Sequence, residues 1–380
     1  MHIAYLTPEY PHPEISHSGG MGTSIRNLAN ALVKQGHQIT VFVYGQQINK
    51  VFKDHGIQFH LIVQKKYSLG GFYLYRKYIE RYINKHSNGI DIIEAPDWTG
   101  INAFMTLKKP LVIRFHGSDT YFCHIENRTQ KWKNRFFENI AVRKAQAFIA
   151  PTHFAGEQSM KLFNQPIEKL EIIHYGLDLK QFKNLDIHNY KKLSLLNIGT
   201  IIRKKGVFQL VEMFERLLKV IPDATLTFIG GDSNDLQTGS NSTWELLQAS
   251  FSKMARNQIT YLGKVPYHQV QEEIKKAHVC VFPSLAETLG MVTIESMALG
   301  KAVVNTDIGW AKDLIQHDHD GFMHHPDDMD SYVNTIKRLF DDPDTVSRIG
   351  ENAMETIMNR FDIEKIAIKN IAFYSKLLEQ

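Results

Sequence analysis

Short apolar runs of strand length alternate along this chain with amphipathic stretches of helical spacing, and that alternation narrows the fold more than any other feature. Residues 2–7, 38–44, 59–63, 91–95, 111–115, 147–150 and 170–173 read as strands, with helical patterns such as Ser24–Lys34 and Phe136–Ala145 between them. The alternation predicts an α/β fold with a parallel, doubly wound sheet. The pattern then restarts: strand Leu193–Ile198, helix Val207–Val220, strand Thr225–Ile229, helix Thr243–Met254, strand Gln258–Leu262 and strand His278–Phe282, with helices to the end. Between the cycles, Lys180–Lys192 is polar and irregular, and the linker is expected there. A chain of 380 residues exceeds what one core usually fills, so two Rossmann-like domains are predicted, residues 1–180 and 181–361.

Charge is divided unevenly between these halves. Residues 1–180 carry 22 Lys and Arg against 14 Asp and Glu, or +8, and residues 181–380 carry 22 against 26, or −4. A basic first half is either solvated surface or a face for an anionic partner such as phospholipid or a diphosphate-linked acceptor. Nothing suggests nucleic acid. The opening Met-His-Ile-Ala-Tyr-Leu-Thr reads as a strand and not as a signal peptide. No apolar stretch is long enough to span a membrane. The two cysteines, Cys123 and Cys280, suggest neither a disulfide framework nor a zinc site, and a cytoplasmic protein is expected.

The chemistry concentrates in Val281–Gly300, V-F-P-S-L-A-E-T-L-G-M-V-T-I-E-S-M-A-L-G. A strand ending at Phe282 passes through Pro283-Ser284 and Gly290 into a helix over Met291–Leu299, stopped by Gly300. A helix entered from such a loop presents free N–H groups, so Leu289, Gly290, Met291, Val292 and Thr293 form a candidate anion site. Glu287 and Glu295 frame it, eight positions apart. Three other loops share this strand-to-helix character. One is His17-Ser18-Gly19-Gly20-Met21-Gly22 after the first strand, where Gly20 and Gly22 allow close backbone approach to a phosphate or sugar. It is not the dinucleotide pattern G-x-G-x-x-G, and the second strand ends without an acid for a ribose. Another is His116-Gly117-Ser118-Asp119 after strand Leu111–Phe115, and the third is Arg203-Lys204-Lys205-Gly206 after strand Leu193–Ile198. Glu94, Asp97 and Trp98 close a further strand at the carboxyl end of the sheet, where ligands bind in such folds, although Asp97 is equally suited to capping a helix.

Together these segments resemble the retaining GT-B glycosyltransferases of family 4 type (glycosyl transferases group 1), which move a sugar from a nucleotide diphosphate donor. Val281–Gly300 resembles their E-x7-E segment, with Leu289 at the usual Phe and Ser296 at the usual Ala; His116–Asp119 resembles H-G-x-D, and Gly19–Gly22 resembles the GG-x-G loop. Thr200 stands at the usual Arg position, leaving Arg203 as the candidate partner of Lys205. His174-Tyr175-Gly176-Leu177-Asp178 is similar to the N-G-V-D hinge, and Asp307-Ile308-Gly309-Trp310 departs from the usual G-G loop. The resemblance implies two domains facing across a cleft, with the C-terminal helix returning to the first. It also implies a hexosyl transfer without metal or cofactor from a UDP-, GDP- or ADP-sugar. In that scheme Glu295 binds the ribose, Glu287 the transferred sugar, Val265 the base, and His116 the donor sugar. Lys205, Arg203 and the 289–293 amides meet the diphosphate, and Glu94, Asp97, Trp98 and Asp119 face the acceptor, a glycan or lipid-linked molecule of envelope polysaccharide or glycolipid synthesis. No D-x-D metal motif fits a strand end. The rival readings are a non-catalytic nucleotide- or sugar-binding protein and another GT-B enzyme, such as a sugar phosphorylase or a nucleotide-sugar epimerase.

One stretch stays apart from this scheme. In Tyr67–Lys85 the aromatics Phe72, Tyr75, Tyr78 and Tyr82 recur at helical spacing with Lys77, Arg81 and Lys85 between them. Two readings stand open: a helix covering the sheet, with tyrosine hydroxyls at its wet edge, or a surface for peripheral contact with anionic lipid.

Overall fold

The computed structural model describes residues 1–379. It divides into two compact units, one of residues 1–178 with the C-terminal stretch from Phe361, the other Leu179–Arg360. The first unit holds eight strands: β1 (His2–Thr7), β2 (Gln38–Gln46), β3 (Lys50–Asp54), β4 (Ile57–Val63), β5 (Ile92–Pro96), β6 (Leu111–Arg114), β7 (Ala147–Ala150) and β8 (Leu170–Ile172). Their order is β3-β4-β2-β1-β5-β6-β7-β8, all pairs parallel except the antiparallel β3–β4 hairpin. The second unit holds β9 (Ser194–Ile198), β10 (Thr225–Ile229), β11 (Ile259–Tyr261), β12 (Val279–Phe282), β13 (Ala302–Thr306) and β14 (Phe322–His324) in the order β11-β10-β9-β12-β13-β14, all parallel. Both are doubly wound, because the order runs outward in each direction from the first strand of the unit.

Burial explains why these runs became strands. Every residue of β5, β6, β7, β9, β12 and β13 is buried, as expected of strands covered by helices on both faces. The helix Val207–Leu218 supplies one such cover through Leu210, Val211, Phe214, Leu217 and Leu218, a stripe at helical spacing that packs on Leu195, Phe228 and Val281. The C-terminal helix Ile363–Leu378 closes the first unit: Ile363, Ile366, Ala367 and Tyr374 join the core of β1, β2 and the helix Gly20–Lys34.

Several expected elements need correction. The second cycle does not end in helices alone, since β13 and β14 follow β12. The edge strand β3, half exposed, also went unpredicted. The helix expected over Thr243–Met254 is two helices, Thr243–Ser250 and Lys253–Gln258, because the Ser252 side chain accepts from the Ala255 N–H and starts a new one. In the helix Gly71–Lys85, Tyr75 is buried and its hydroxyl accepts from the Gly45 N–H at 2.9 Å, while Tyr82 lies against His60. The buried residues follow the covering-helix reading, whereas Phe72 and Tyr73 of the same helix are exposed.

Candidate active site

In the second unit the loops that follow β9 and β12 meet. The turn Arg203–Lys205 is fastened to the loop after β12 by the N–H groups of Leu285 and Ala286, which donate to the Lys204 carbonyl at 2.8 and 3.2 Å. Gly206 makes this approach feasible: its φ is +68°, and a Cβ there would lie 1.9 Å from the Pro283 carbonyl oxygen. The result is an ion pair between Lys205 Nζ and Glu287, both partly open to solvent, with side-chain exposures of 21 % and 15 %. The helix Met291–Ala298 begins next to them. Gly290 takes φ +97°, and its carbonyl accepts from the Thr293 N–H at 3.0 Å. The N–H groups of Met291 and Val292, ahead of Thr293 in the first turn, have no intrahelical acceptor by geometry, so this helix start is suited to an anion. Asn305, at the end of β13, donates to Thr293 Oγ1 at 2.9 Å and anchors that turn.

Glu295 lies one turn further along and is buried. Burial pushes its carboxyl up to about 7, opposed by the Tyr267 hydroxyl, which donates to Oε1 at 2.8 Å. Tyr267 opens the helix Tyr267–Lys276 and directly follows the loop that carries Val265, so Glu295 and that loop are joined. Arg203 differs from its expected role as partner of Lys205 at the diphosphate. Its guanidinium forms a two-point ion pair with buried Asp235, at 2.6 and 3.0 Å, and stacks over Phe208. That fork holds the Asp235 carboxyl down to about 2, with Thr238 bonding to the same group.

The first unit carries the other predicted residues. His116 leaves β6 with its N–H bonded to Asp97 Oδ1 at 2.9 Å, and its ring stacks on Tyr175, whose hydroxyl meets Nδ1 at 2.7 Å. Burial, helped by the nearby Arg114 charge, lowers the imidazole to about 3, so His116 is neutral at ordinary pH. When Tyr175 donates to Nδ1, the ring proton is on Nε2, free to donate elsewhere. Asp97 is buried and serves the 116–118 loop through backbone N–H bonds, including Gly117 at 3.3 Å. It therefore does not face an acceptor. Nor does Glu94, which is 3 % exposed and receives two bonds from Arg114 (2.7 and 2.9 Å) and one from Tyr374 (2.5 Å). Both expectations fail for one reason: a buried carboxylate must spend its lone pairs on internal donors. Trp98 stays exposed, and Asp119 accepts from Asn134 at 2.9 Å beside Arg128. Gly20 is open, but the Gly22 N–H is taken by Glu9 Oε1 at 2.7 Å, so Glu9 fills the anion position of that helix start.

Tyr267, Tyr175 and Asp235 are missing from the sequence expectations. Tyr175 lies in a segment read as a hinge, and no spacing links Tyr267 to Glu295 or Asp235 to Arg203, which are brought together only by the sheet order.

Comparison with known proteins completes the assignment. The model described as "Glycosyl transferases group 1" matches residues 180–356, and "Glycosyltransferase Family 4" matches residues 18–181. An uncharacterised glycosyltransferase of Methanocaldococcus jannaschii is 23 % identical over 100 % of this chain and 99 % of its own length. Sucrose-phosphate synthase from Thermosynechococcus elongatus superposes with TM-score 0.79 at 20 % identity, covering 100 % of this chain and 99 % of that one. Anabaena HepE in complex with UDP-glucose does so with TM-score 0.77 at 19 % identity, over 99 % and 100 %. The two matched segments meet at residues 180–181, next to the start of the second unit at Leu179, and the likeness to solved structures extends over both sheets. The chain belongs to the GT-B glycosyltransferases of family 4 type.

Proposed function

We propose that this glycosyltransferase is a retaining enzyme that takes a sugar from a nucleotide-diphosphate donor. The observation that carries the reading is the Lys205–Glu287 pair beside the open start of the helix Met291–Ala298, with Glu295 one turn on. An ammonium and a row of N–H groups suit a diphosphate whose charge grows as the glycosidic bond breaks. Glu287 accepts from hydroxyls of the transferred sugar, and Glu295, set by Tyr267, from the vicinal ribose hydroxyls. Arg203 acts at a distance by shaping the loop through Asp235. Neutral His116 offers a hydrogen bond to a sugar hydroxyl.

In the reaction the acceptor oxygen bonds to the anomeric carbon on the face that the diphosphate leaves. The leaving phosphate oxygen takes the acceptor's proton, so no separate protein base is needed. Cationic groups and helix N–H groups supply the charge stabilisation without a divalent ion. The UDP-glucose bound to HepE supports a nucleotide sugar as donor. A glycan or lipid-linked acceptor in envelope polysaccharide or glycolipid synthesis, at the inner face of the membrane, fits the basic first half.

Incubation of the purified protein with UDP-, GDP- and ADP-sugars, read by saturation-transfer NMR and donor hydrolysis, tests the donor. Absence of signal from every nucleotide sugar would overturn it. Retention is tested by the anomeric coupling of the product, and an inverted product rejects the mechanism. Activity should persist in EDTA; complete loss restored by Mg²⁺ or Mn²⁺ rejects the metal-free reading.

A further inference from the structure

The loop after β4 and the starts of the helices Gly71–Lys85 and Trp132–Val142 frame a pocket of about 920 Å³ in the first unit. Five cations line it, Lys65, Lys66, Arg76, Lys131 and Lys133, and no aspartate or glutamate does. Arg76 is 5 % exposed, and its guanidinium is held by the carbonyls of Phe72, Thr99 and Gly100 at 3.0, 2.9 and 3.1 Å. Gly100 permits this arrangement, since its φ is +56° and a Cβ there would lie 2.5 Å from the Phe137 backbone. Among the described residues no carboxylate pairs with Arg76; carbonyls and the ring faces of Phe72 and Phe137, 5.9 and 4.7 Å away, hold its buried charge at the border of the pocket. A buried charge held by dipoles and ring faces, with no counter-ion, is favourable to an anion in the pocket.

Aromatic rings continue from the pocket in one contact chain. Phe72 stacks on Phe137 at 5.6 Å, Phe137 meets Phe104 at 6.0 Å, and Phe104 meets Tyr73 at 5.4 Å and Phe136 at 6.3 Å. Nevertheless Phe72, Tyr73 and Phe136 are exposed, and neighbouring Trp132 is 71 % exposed. Clustered exposed aromatics beside a pocket whose charged lining is all cationic mark a surface that another phase covers. A protein interface of mixed charge would have acids to pair on this side; a sheet of phosphates needs none.

We propose that this face docks on a bilayer containing anionic phospholipid, with Phe72, Tyr73, Trp132 and Phe136 entering the headgroup boundary and the pocket cations meeting lipid phosphates. The docking deepens the membrane-side reading of the acceptor given above, but vesicle binding is measured without donor or acceptor, so the two fail separately. The test is flotation of the full chain with vesicles of phosphatidylcholine alone or mixed with phosphatidylglycerol, at low and high salt. Binding to the anionic vesicles only, weakened by salt, is expected. Lys131→Ala and Lys133→Ala should each weaken it about fivefold. Phe72→Ser with Trp132→Ser should abolish it and leave the urea midpoint unchanged, since both side chains are exposed. Equal recovery on neutral and anionic vesicles overturns the proposal, as do variants that bind like the wild type. So does a failure to bind accompanied by a dimer that Trp132→Ser dissolves, which would assign the face to a second copy.

Discussion

Two carboxylate–cation pairs stand at strand ends, one in each unit, and they behave differently. Glu94–Arg114 is sealed: both groups are nearly inaccessible, the contact is bidentate, Tyr374 donates to Glu94 Oε2, and Asn370 Oδ1 accepts from Arg114 Nη2. Lys205–Glu287 is partly open to solvent, with a helix start beside it. The first pair ties the C-terminal helix to β5 and β6, because Tyr374 and Asn370 belong to that helix. The second is the pair proposed above to meet the donor. What separates the two pairs is access to solvent, not residue type or position near a strand end.

The largest expected effect breaks the sealed pair. Arg114→Met strands Glu94 in the core and should cost about 3–5 kcal/mol of stability. Urea unfolding measures it, and adding Glu94→Gln should recover part of the loss. A cost near zero would show that the network is not closed. In the open pair, Lys205→Ala should lower turnover about a hundredfold, or ~2.7 kcal/mol. Its urea midpoint should barely move, because Glu287 can turn to water. Near wild-type turnover would remove Lys205 from the mechanism.

Smaller effects sharpen the comparison. Tyr267→Phe deletes one hydrogen bond to Glu295 and should raise the donor KM about tenfold, the scale of one bond to a charged group, with kcat nearly unchanged. A fall in kcat alone would contradict the ribose assignment. A further effect is in pH. Burial raises the Glu295 carboxyl in the folded protein to about 7, above its ordinary 4.5, so the folded state holds a proton that the unfolded chain releases. Stability should therefore fall as pH rises between those values, with one proton contributing at most about 1.4 kcal/mol per pH unit. Glu295→Gln should flatten that slope, and parallel wild-type and variant curves would show that Glu295 does not titrate there.

Legibility followed locality. Buried parallel strands such as β9 and β12 were plain because burial on both faces demands continuous apolar runs, and the helix start at Gly290 was plain because a strand, a loop and a helix are contiguous in the chain. The short strand β14 and the edge strand β3 carried weaker signals, since neither is apolar throughout. Glu94 and Glu287 could not be told apart beforehand: each is an acid near a strand end.

By itself, the sequence determined the two α/β cycles, the loops that end at strand carboxyl termini, and the residue types able to meet a diphosphate. These follow from hydrophobic periodicity and turn chemistry, which act over a few residues. Only the tertiary structure decided which polar groups are already spent. Arg114 reaches Asn370 across 256 positions, Arg203 reaches Asp235 across 32, and Tyr267 reaches Glu295 across 28. Such pairs form because sheet order and helix packing bring distant segments together, and the cost of burying an unpaired polar group then fixes each partner.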